Sequence, residues 1–385
     1  MRADGYGAPV PRIVLFGATG YTGRLVAAAM VARGGRPLLA ARSRRKLDEL
    51  AAKLAPDATL EVGEADAGRP GSVRDLLDRG DVLVSTVGPF TRWGESAVAA
   101  AVDAGAHYLD STGEPGFIRD VLERWGPRAE AAGSALVPAF GYDWVPGNLA
   151  GALALRAAGA TATRLDVGYF VTGSAGPRAF SGGTLASAAA VLAEPGYAWR
   201  DGRLRTEPSA RHYRTYLVRG RPRGALSVAG SEHLALPRLA PGLRDVAVHL
   251  GWFRPAARGV QALSQLTRLP LVPELLAAAG SQLLPGSTGG PDEAARRRTG
   301  THVQALAYDS LGQELAHVVL EGPNPYTLTG DLLAWAADGA RAGKLAGTGG
   351  LGPVEAYGLE ALVAGAAEVG LVRVHPSGGT PPRAS

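Results

Sequence analysis

The stretch Gly17-Ala18-Thr19-Gly20-Tyr21-Thr22-Gly23 constrains this chain more than any other. A short apolar, β-branched run, Arg12–Phe16, leads into it, and Arg24–Ala32 behind it reads as helix. A strand that turns on glycines directly into a helix leaves the first helical N–H groups free and sets the positive end of the helix dipole at the turn, which suits a phosphate. Gly17 permits the tight turn, Gly20 lets backbone approach a pyrophosphate, and Gly23 lets the helix pack closely on the strand. The alternation continues. Pro37–Ala41, Thr59–Val62, Asp81–Val87, His107–Asp110 and Ala135–Ala139 read as strands, and Leu47–Leu54, Val73–Leu77, Ser96–Ala104 and Phe117–Ala132 as helices. Strands alternating with helices over so long a stretch predict an α/β fold with a Rossmann-type, doubly wound parallel sheet.

From about Ala150 the rhythm changes. Leu165–Thr172, Thr215–Val218, Leu226–Val228 and Val246–Phe253 read as strands between Gly/Pro/Arg-rich turns, and Ser181-Gly182-Gly183-Thr184 opens a helix to Ala193. A helical stretch, Pro255–Leu284, is followed by Pro285–Asp292, a linker by composition. His302–Asp309 and Glu314–Glu321 form a hairpin, Tyr326–Arg341 and Pro353–Val369 are helical, and the tail from Pro376 is expected to fray. A chain of 385 residues exceeds the roughly 250–300 at which single cores stop growing. We therefore expect residues 1–150 as the dinucleotide domain, 151–321 as an inserted mixed α/β second domain, and 322–385 as C-terminal helices returning to the first.

Composition removes several classes of function. There are no cysteines, so disulfides, thiolate metal sites and cysteine nucleophiles are excluded, and the seven histidines include no HxH or HExxH pair; no metal is expected. The net charge of +5 comes from arginines scattered along the chain with no aromatic-basic module, which argues against nucleic acid. Apolar stretches such as Leu25–Ala32 fall short of the ~18–20 residues of a transmembrane helix. With no apolar segment near the N-terminus, a cytoplasmic location is expected. The expected partner is a small-molecule substrate, with a homodimer as the assembly to look for.

The end of the second strand speaks to the cofactor. A bare ribose 2′-hydroxyl usually meets an Asp or Glu there, whereas a 2′-phosphate wants a cation. Ala40-Ala41-Arg42-Ser43-Arg44-Arg45-Lys46 holds no acid, one hydroxyl and several cations, which favours NADP(H).

Five segments in order, Gly17–Gly23, Ala41-Arg42-Ser43, Val87-Gly88-Pro89-Phe90, His107–Glu114 and Phe140–Pro146, resemble the saccharopine dehydrogenase-like oxidoreductases, a family that includes trans-acting enoyl reductases. Ser181–Thr184 and Gly322–Thr327 extend the likeness over about residues 12–370. The resemblance implies that Gly17, Thr19, Gly20, Tyr21, Thr22 and Gly23 wrap the pyrophosphate and that Arg42 and Ser43 hold the 2′-phosphate. It also implies that Asp66 borders the adenine and that Val87, Gly88 and Pro89 line the nicotinamide ribose.

Reduction by NADPH needs a proton donor beside the hydride. No Tyr has a Lys four residues later, so the short-chain reductase pair is absent. Asp143 and Tyr142 are the leading candidates; Ser111, Thr112, Glu114, His212 and His233 are further ones. Asp143, just ahead of Val145-Pro146, could equally cap a helix. The expected function is an NADPH-dependent reductase acting on a C=C (enoyl) or C=N (imine) bond of a small to medium-sized biosynthetic substrate. A redox-neutral lyase or transferase with retained NAD(P), and a non-catalytic NADP-binding protein, stay open.

Overall fold

A computed structural model of the protein describes residues 10–174, 195–251 and 289–375. The first part is a parallel sheet in which β1 (Ile13–Phe16), β2 (Leu38–Ala41), β3 (Val62–Glu64), β4 (Val82–Ser85), β5 (His107–Asp110) and β6 (Ala135–Val137) run in the order β6-β5-β4-β1-β2-β3. Every residue of β1, β2 and β4 is buried. Helices cover both faces of such a sheet, so its central strands are continuous apolar runs rather than alternating ones.

The connections are α1 (Tyr21–Ala32), α2 (Arg44–Leu54), α3 (Pro70–Arg74), α4 (Phe90–Ala104), α5 (Pro115–Asp120) and α6 (Gly126–Ala132). The helix expected over Phe117–Ala132 starts at Pro115 and is interrupted by a π-helical turn at Val121–Trp125. The third strand lies later than expected, at Val62–Glu64 instead of Thr59–Val62. It is partly exposed, so no apolar run marks it.

The second part begins with α7 (Val145–Ala158), which runs through residue 150 and packs on the second sheet. That sheet is mixed: β7 (Arg164–Gly173), β10 (Tyr213–Val218), β11 (Arg221–Val228), β12 (Asp245–Leu250), β13 (Thr299–Tyr308) and β14 (Glu314–Gly322) lie in the order β10-β11-β12-β7-β13-β14. Only β12 and β7 pair in parallel among these. A hairpin of β8 (Pro195–Arg200) and β9 (Arg203–Pro208) attaches to β12, and α8 (Glu232–Leu239) packs against α7. Neither was legible in the sequence. The expected helices at 181–193 and 255–284, and the tail from Pro376, lie outside the described residues.

Residues 289–292, expected as linker, include a packed contact: the Pro291 carbonyl accepts the hydroxyl of Tyr21, and Asp292 caps α9 (Glu293–Arg297). After β14, α10 (Pro325–Arg341) lies along α1, with Gly330 so close to Leu25 that a Cβ there would sit 3.2 Å from its backbone. The strand β15 (Gly349–Gly350) extends the first sheet beside β6, and α11 (Pro353–Tyr357) and α12 (Leu359–Glu368) follow. The last strand, β16 (Val372–Val374), joins the second sheet beside β14. The C-terminal stretch thus contributes to both sheets. No helix among the described residues is long and apolar enough to cross a membrane.

Candidate dinucleotide and proton-transfer site

The carboxyl ends of β1, β4, β5 and β6 carry four loops at one edge of the sheet, and the strand order reverses between β1 and β4, where open α/β sheets bind ligands. The glycine turn follows β1. Gly17 has φ +90°, and a Cβ on it would lie 2.6 Å from Thr86 Oγ1 and 2.9 Å from Val87 Cγ2. A Cβ on Gly23 would sit 2.2 Å from the Gly17 carbonyl oxygen. Neither position admits a side chain, which is how the turn keeps backbone at its surface. Gly20 is the N-cap of α1 and no side chain caps that end, so the leading N–H groups of Tyr21, Thr22 and Gly23 face the loop edge unclaimed by a cap. Thr19 lies within the same turn. A pyrophosphate fits these donors.

Tyr21 points the other way. Its hydroxyl donates to Pro291 and accepts from Arg296 Nη1 at 3.2 Å, and its ring meets Tyr326 edge-on at 5.2 Å. Its side chain therefore ties the turn to segments beyond the first sheet.

At the end of β2, Arg42 is exposed and makes no ion pair among the described residues. Arg44 and Arg45 are engaged by Asp48 and Glu49 one helical turn on. Ser43 is the N-cap of α2 and accepts from the Lys46 N–H at 3.5 Å. Sequence reasoning missed Glu64, which β3 brings opposite Ala41; its carboxylate accepts the Arg44 backbone N–H at 3.0 Å. Asp66 starts the next turn, accepting from Gly68 N–H at 2.9 Å. Val87, Gly88 and Pro89 form the loop from β4 into α4, with Gly88 and Pro89 exposed at the edge.

The loop after β5 is a polar clasp. Glu114 is buried and accepts from Phe90 N–H at 2.9 Å, Thr91 N–H at 2.8 Å and the Thr91 hydroxyl at 2.8 Å. It therefore serves as the N-terminal cap of α4. Asp110, also buried, accepts from Thr112 N–H at 2.9 Å and Ala139 N–H at 2.7 Å, tying this loop to the one after β6. Burial raises its pKa to about 6.

Asp143 stands in the loop after β6. The helix N-cap is Trp144, and Asp143 makes no capping bond, so the capping alternative is not what the structure shows. Its Oδ2 would be 3.3 Å from a Cβ on Gly113, and its Oδ1 is enclosed with no hydrogen-bond partner among the described residues. Burial pushes the carboxyl up to about 7. Tyr142 is buried, its backbone N–H donating to Thr329 Oγ1 at 3.0 Å and its ring edge-on to Tyr169 at 5.5 Å. Of the histidines, His212 is paired with Glu207 at 2.8 Å, and His233 is buried with Nδ1 turned to its own turn at Gly230. Burial lowers His233 to about 4, a poor reservoir of protons at neutral pH.

Residues 13–137 match the family described as saccharopine dehydrogenase NADP binding domain, so the likeness read from the sequence holds and the expected cofactor agrees with that description. A Mycobacterium tuberculosis protein named, provisionally, as a trans-acting enoyl reductase is 39% identical over 189 residues, 47% of this chain and 44% of its own. A trans-acting enoyl reductase of Mycobacterium leprae is 39% identical over 140 residues, 36% of this chain and 34% of its own. The matched stretch thus spans less than half the length of these curated relatives. Two solved structures share the fold at 12% identity: saccharopine dehydrogenase (L-Glu forming) from Saccharomyces cerevisiae, with TM-score 0.60 over 94% of this chain and 99% of that one, and a Legionella pneumophila homospermidine synthase in complex with NAD, with TM-score 0.62 over 97% and 93%.

Proposed function

We propose, from a segment 13–137 that matches the saccharopine dehydrogenase NADP binding domain family, that this protein is an NADPH-dependent reductase and that its substrate is an enoyl compound. The names of the curated relatives favour the C=C bond over C=N. The observation that carries the reading is Asp143, a carboxyl that keeps a proton near neutral pH at the same sheet edge as the glycine turn. In this reading the first sheet and its loops hold the dinucleotide, the second sheet walls the substrate, and the described C-terminal stretch, residues 322–375, serves both through β15 and β16.

When bound, NADPH supplies the hydride. The N–H groups of Tyr21, Thr22 and Gly23 hold the pyrophosphate with Thr19 beside them, and Arg42 and Ser43 hold the 2′-phosphate. Asp66 borders the adenine, and Val87, Gly88 and Pro89 orient the ribose nearer the reacting carbon. Asp143 would give its proton to the α-carbon of the reduced enoyl group and become a carboxylate, which water would then reprotonate. Tyr142 packs behind it.

Purified protein is given NADPH with crotonyl-coenzyme A, and separately with a cyclic imine such as pyrroline. Loss of NADPH absorbance with formation of the saturated thioester is the expected result. Oxidation with the imine alone would move the assignment to C=N. NADPH binding without oxidation by either compound would sink the reductase reading.

A further inference from the structure

Behind Asp143 the second sheet supplies a carboxyl that neither sequence reasoning nor the proposed chemistry uses. Glu232, the first residue of α8, is fully buried. The hydroxyl of Tyr169, on β7, donates to its Oε1 at 2.5 Å, while Oε2 has no hydrogen-bond partner among the described residues. Tyr169 in turn accepts the Gly147 N–H at 2.8 Å and lies 3.2 Å from the Trp144 carbonyl oxygen. Its ring meets Tyr142 and Trp144 edge-on, at 5.5 and 5.3 Å. The residues either side of Asp143 are thus both packed on this one ring.

Room for the pair is made by two glycines. A Cβ on Gly147 would lie 2.1 Å from the Tyr169 oxygen and 2.2 Å from Glu232 Oε1, and one on Gly230 would lie 2.5 Å from Glu232 Oε2. A buried carboxyl with an unpartnered oxygen opposes folding, and an apolar side chain of similar volume is usually neutral or stabilising there.

We propose that Glu232 is a positioning residue for the proton-bearing turn: its hydrogen bond fixes Tyr169 as the post on which Tyr142-Asp143-Trp144 is folded, and so places the Asp143 carboxyl. This rests on the reading of Asp143 as the acid. Burial, reinforced by the nearby Asp143 charge, raises Glu232 to about 8. At neutral pH it acts as an uncharged carboxyl, so glutamine reproduces its hydrogen bond. Acting on the second sheet's side of the site, it also makes the turn sensitive to how that sheet seats against the first.

The test compares Glu232→Gln, Glu232→Met, Tyr169→Phe and the double variant Glu232→Met/Tyr169→Phe in full-length protein, with crotonyl-coenzyme A as substrate. Misplacing a catalytic group by an ångström costs up to roughly a hundredfold, so Glu232→Met and Tyr169→Phe should each lower kcat by about 10- to 100-fold. KM and NADPH affinity should stay within about twofold, and the thermal midpoint of Glu232→Met should hold or rise. Glu232→Gln should recover most of the loss, and the double variant should be no worse than either single one, because both break one connection. The proposal is overturned by an unchanged kcat in Glu232→Met, by Glu232→Gln as slow as Glu232→Met, by multiplicative losses in the double variant, or by activity that falls only in step with stability. Should Glu232→Met not fold, Glu232→Gln and Tyr169→Phe decide the matter by the same criteria. Asp143→Asn, measured alongside, separates the two levels: if it is fully active the acid assignment fails and this proposal with it, whereas a dead Asp143→Asn beside an active Tyr169→Phe and Glu232→Met sinks positioning alone.

Discussion

Glu64 reaches across from β3 and its carboxylate accepts the backbone N–H of Arg44 at 3.0 Å, two residues beyond the exposed Arg42. Two opposite charges therefore flank the place where a ribose 2′-substituent is expected. One Arg on a phosphate is worth roughly 1.5–3 kcal/mol, so Arg42→Ala should weaken NADPH about 10- to 150-fold and leave NADH nearly unchanged. Glu64→Gln should act in the opposite direction. An exposed charge contributes roughly 0.2–1 kcal/mol, so NADPH should bind about 1.4- to 5-fold more tightly and NADH hardly differently. Calorimetric titration of both cofactors checks this. A wild-type protein that binds NADH as tightly as NADPH overturns the assignment of this turn.

Asp143 carries the chemistry in our reading, and Asp143→Asn should lower turnover by roughly 10²–10⁴-fold with cofactor affinity intact. Tyr142→Phe should have a comparable effect only if the phenol itself handles the proton. Because burial raises Asp143 to about 7, kcat should be full below that pH and fall as pH rises through it. A flat kcat from pH 6 to 8 would rule Asp143 out as the acid.

Much of the first sheet was legible because β1, β2 and β4 are buried on both faces and spell continuous apolar runs. The position of β3 was not, since Val62–Glu64 is partly exposed and its acid becomes relevant only through its register with Ala41. The same holds for the exposed, charged β9. Local rules also misassigned caps. Asp143 stands where a cap is expected and makes none, while Glu114, 24 residues away from Phe90, caps α4. The Tyr169–Glu232 bond joins residues 63 apart, and no periodicity or spacing announces such a pairing.

Glu114 and Asp143 were both candidate acids, and their surroundings now separate them. The former spends both carboxylate oxygens on the first turn of α4. Glu114→Gln should therefore cost about 0.5–2 kcal/mol of stability, the range for losing a helix N-cap, with kcat little changed at temperatures where the variant is folded. Denaturant unfolding and turnover measured on one preparation decide it. A thousandfold loss of kcat with stability intact would make Glu114 the acid instead.

Stability should depend on pH in a way that the buried groups dictate. Glu232 and Asp143 keep protons up to about 8 and 7 in the folded state, whereas unfolded carboxyls release theirs near 4.5 and 3.8. Between pH 8 and 6.5 the native state thus holds more protons than the unfolded one, and stability rises as pH falls. Below 6.5 the balance changes, because the unfolded chain protonates His233 and His249 while burial holds them to about 4 and 3 in the fold. That opposes the continuing gain from the carboxyls, Asp110 included at about 6. Glu321, lowered to about 2 first by its hydrogen bond with Arg219, loses its contribution only as pH falls from 4.5 toward 2, outside this window. The thermal midpoint should accordingly climb from pH 8 to 6.5 and then level off. Glu232→Gln, which removes the highest of these titrations, should flatten the climb between pH 8 and 7. A midpoint that rises with pH across that interval in the wild-type protein would contradict the protonated state assigned to both carboxyls.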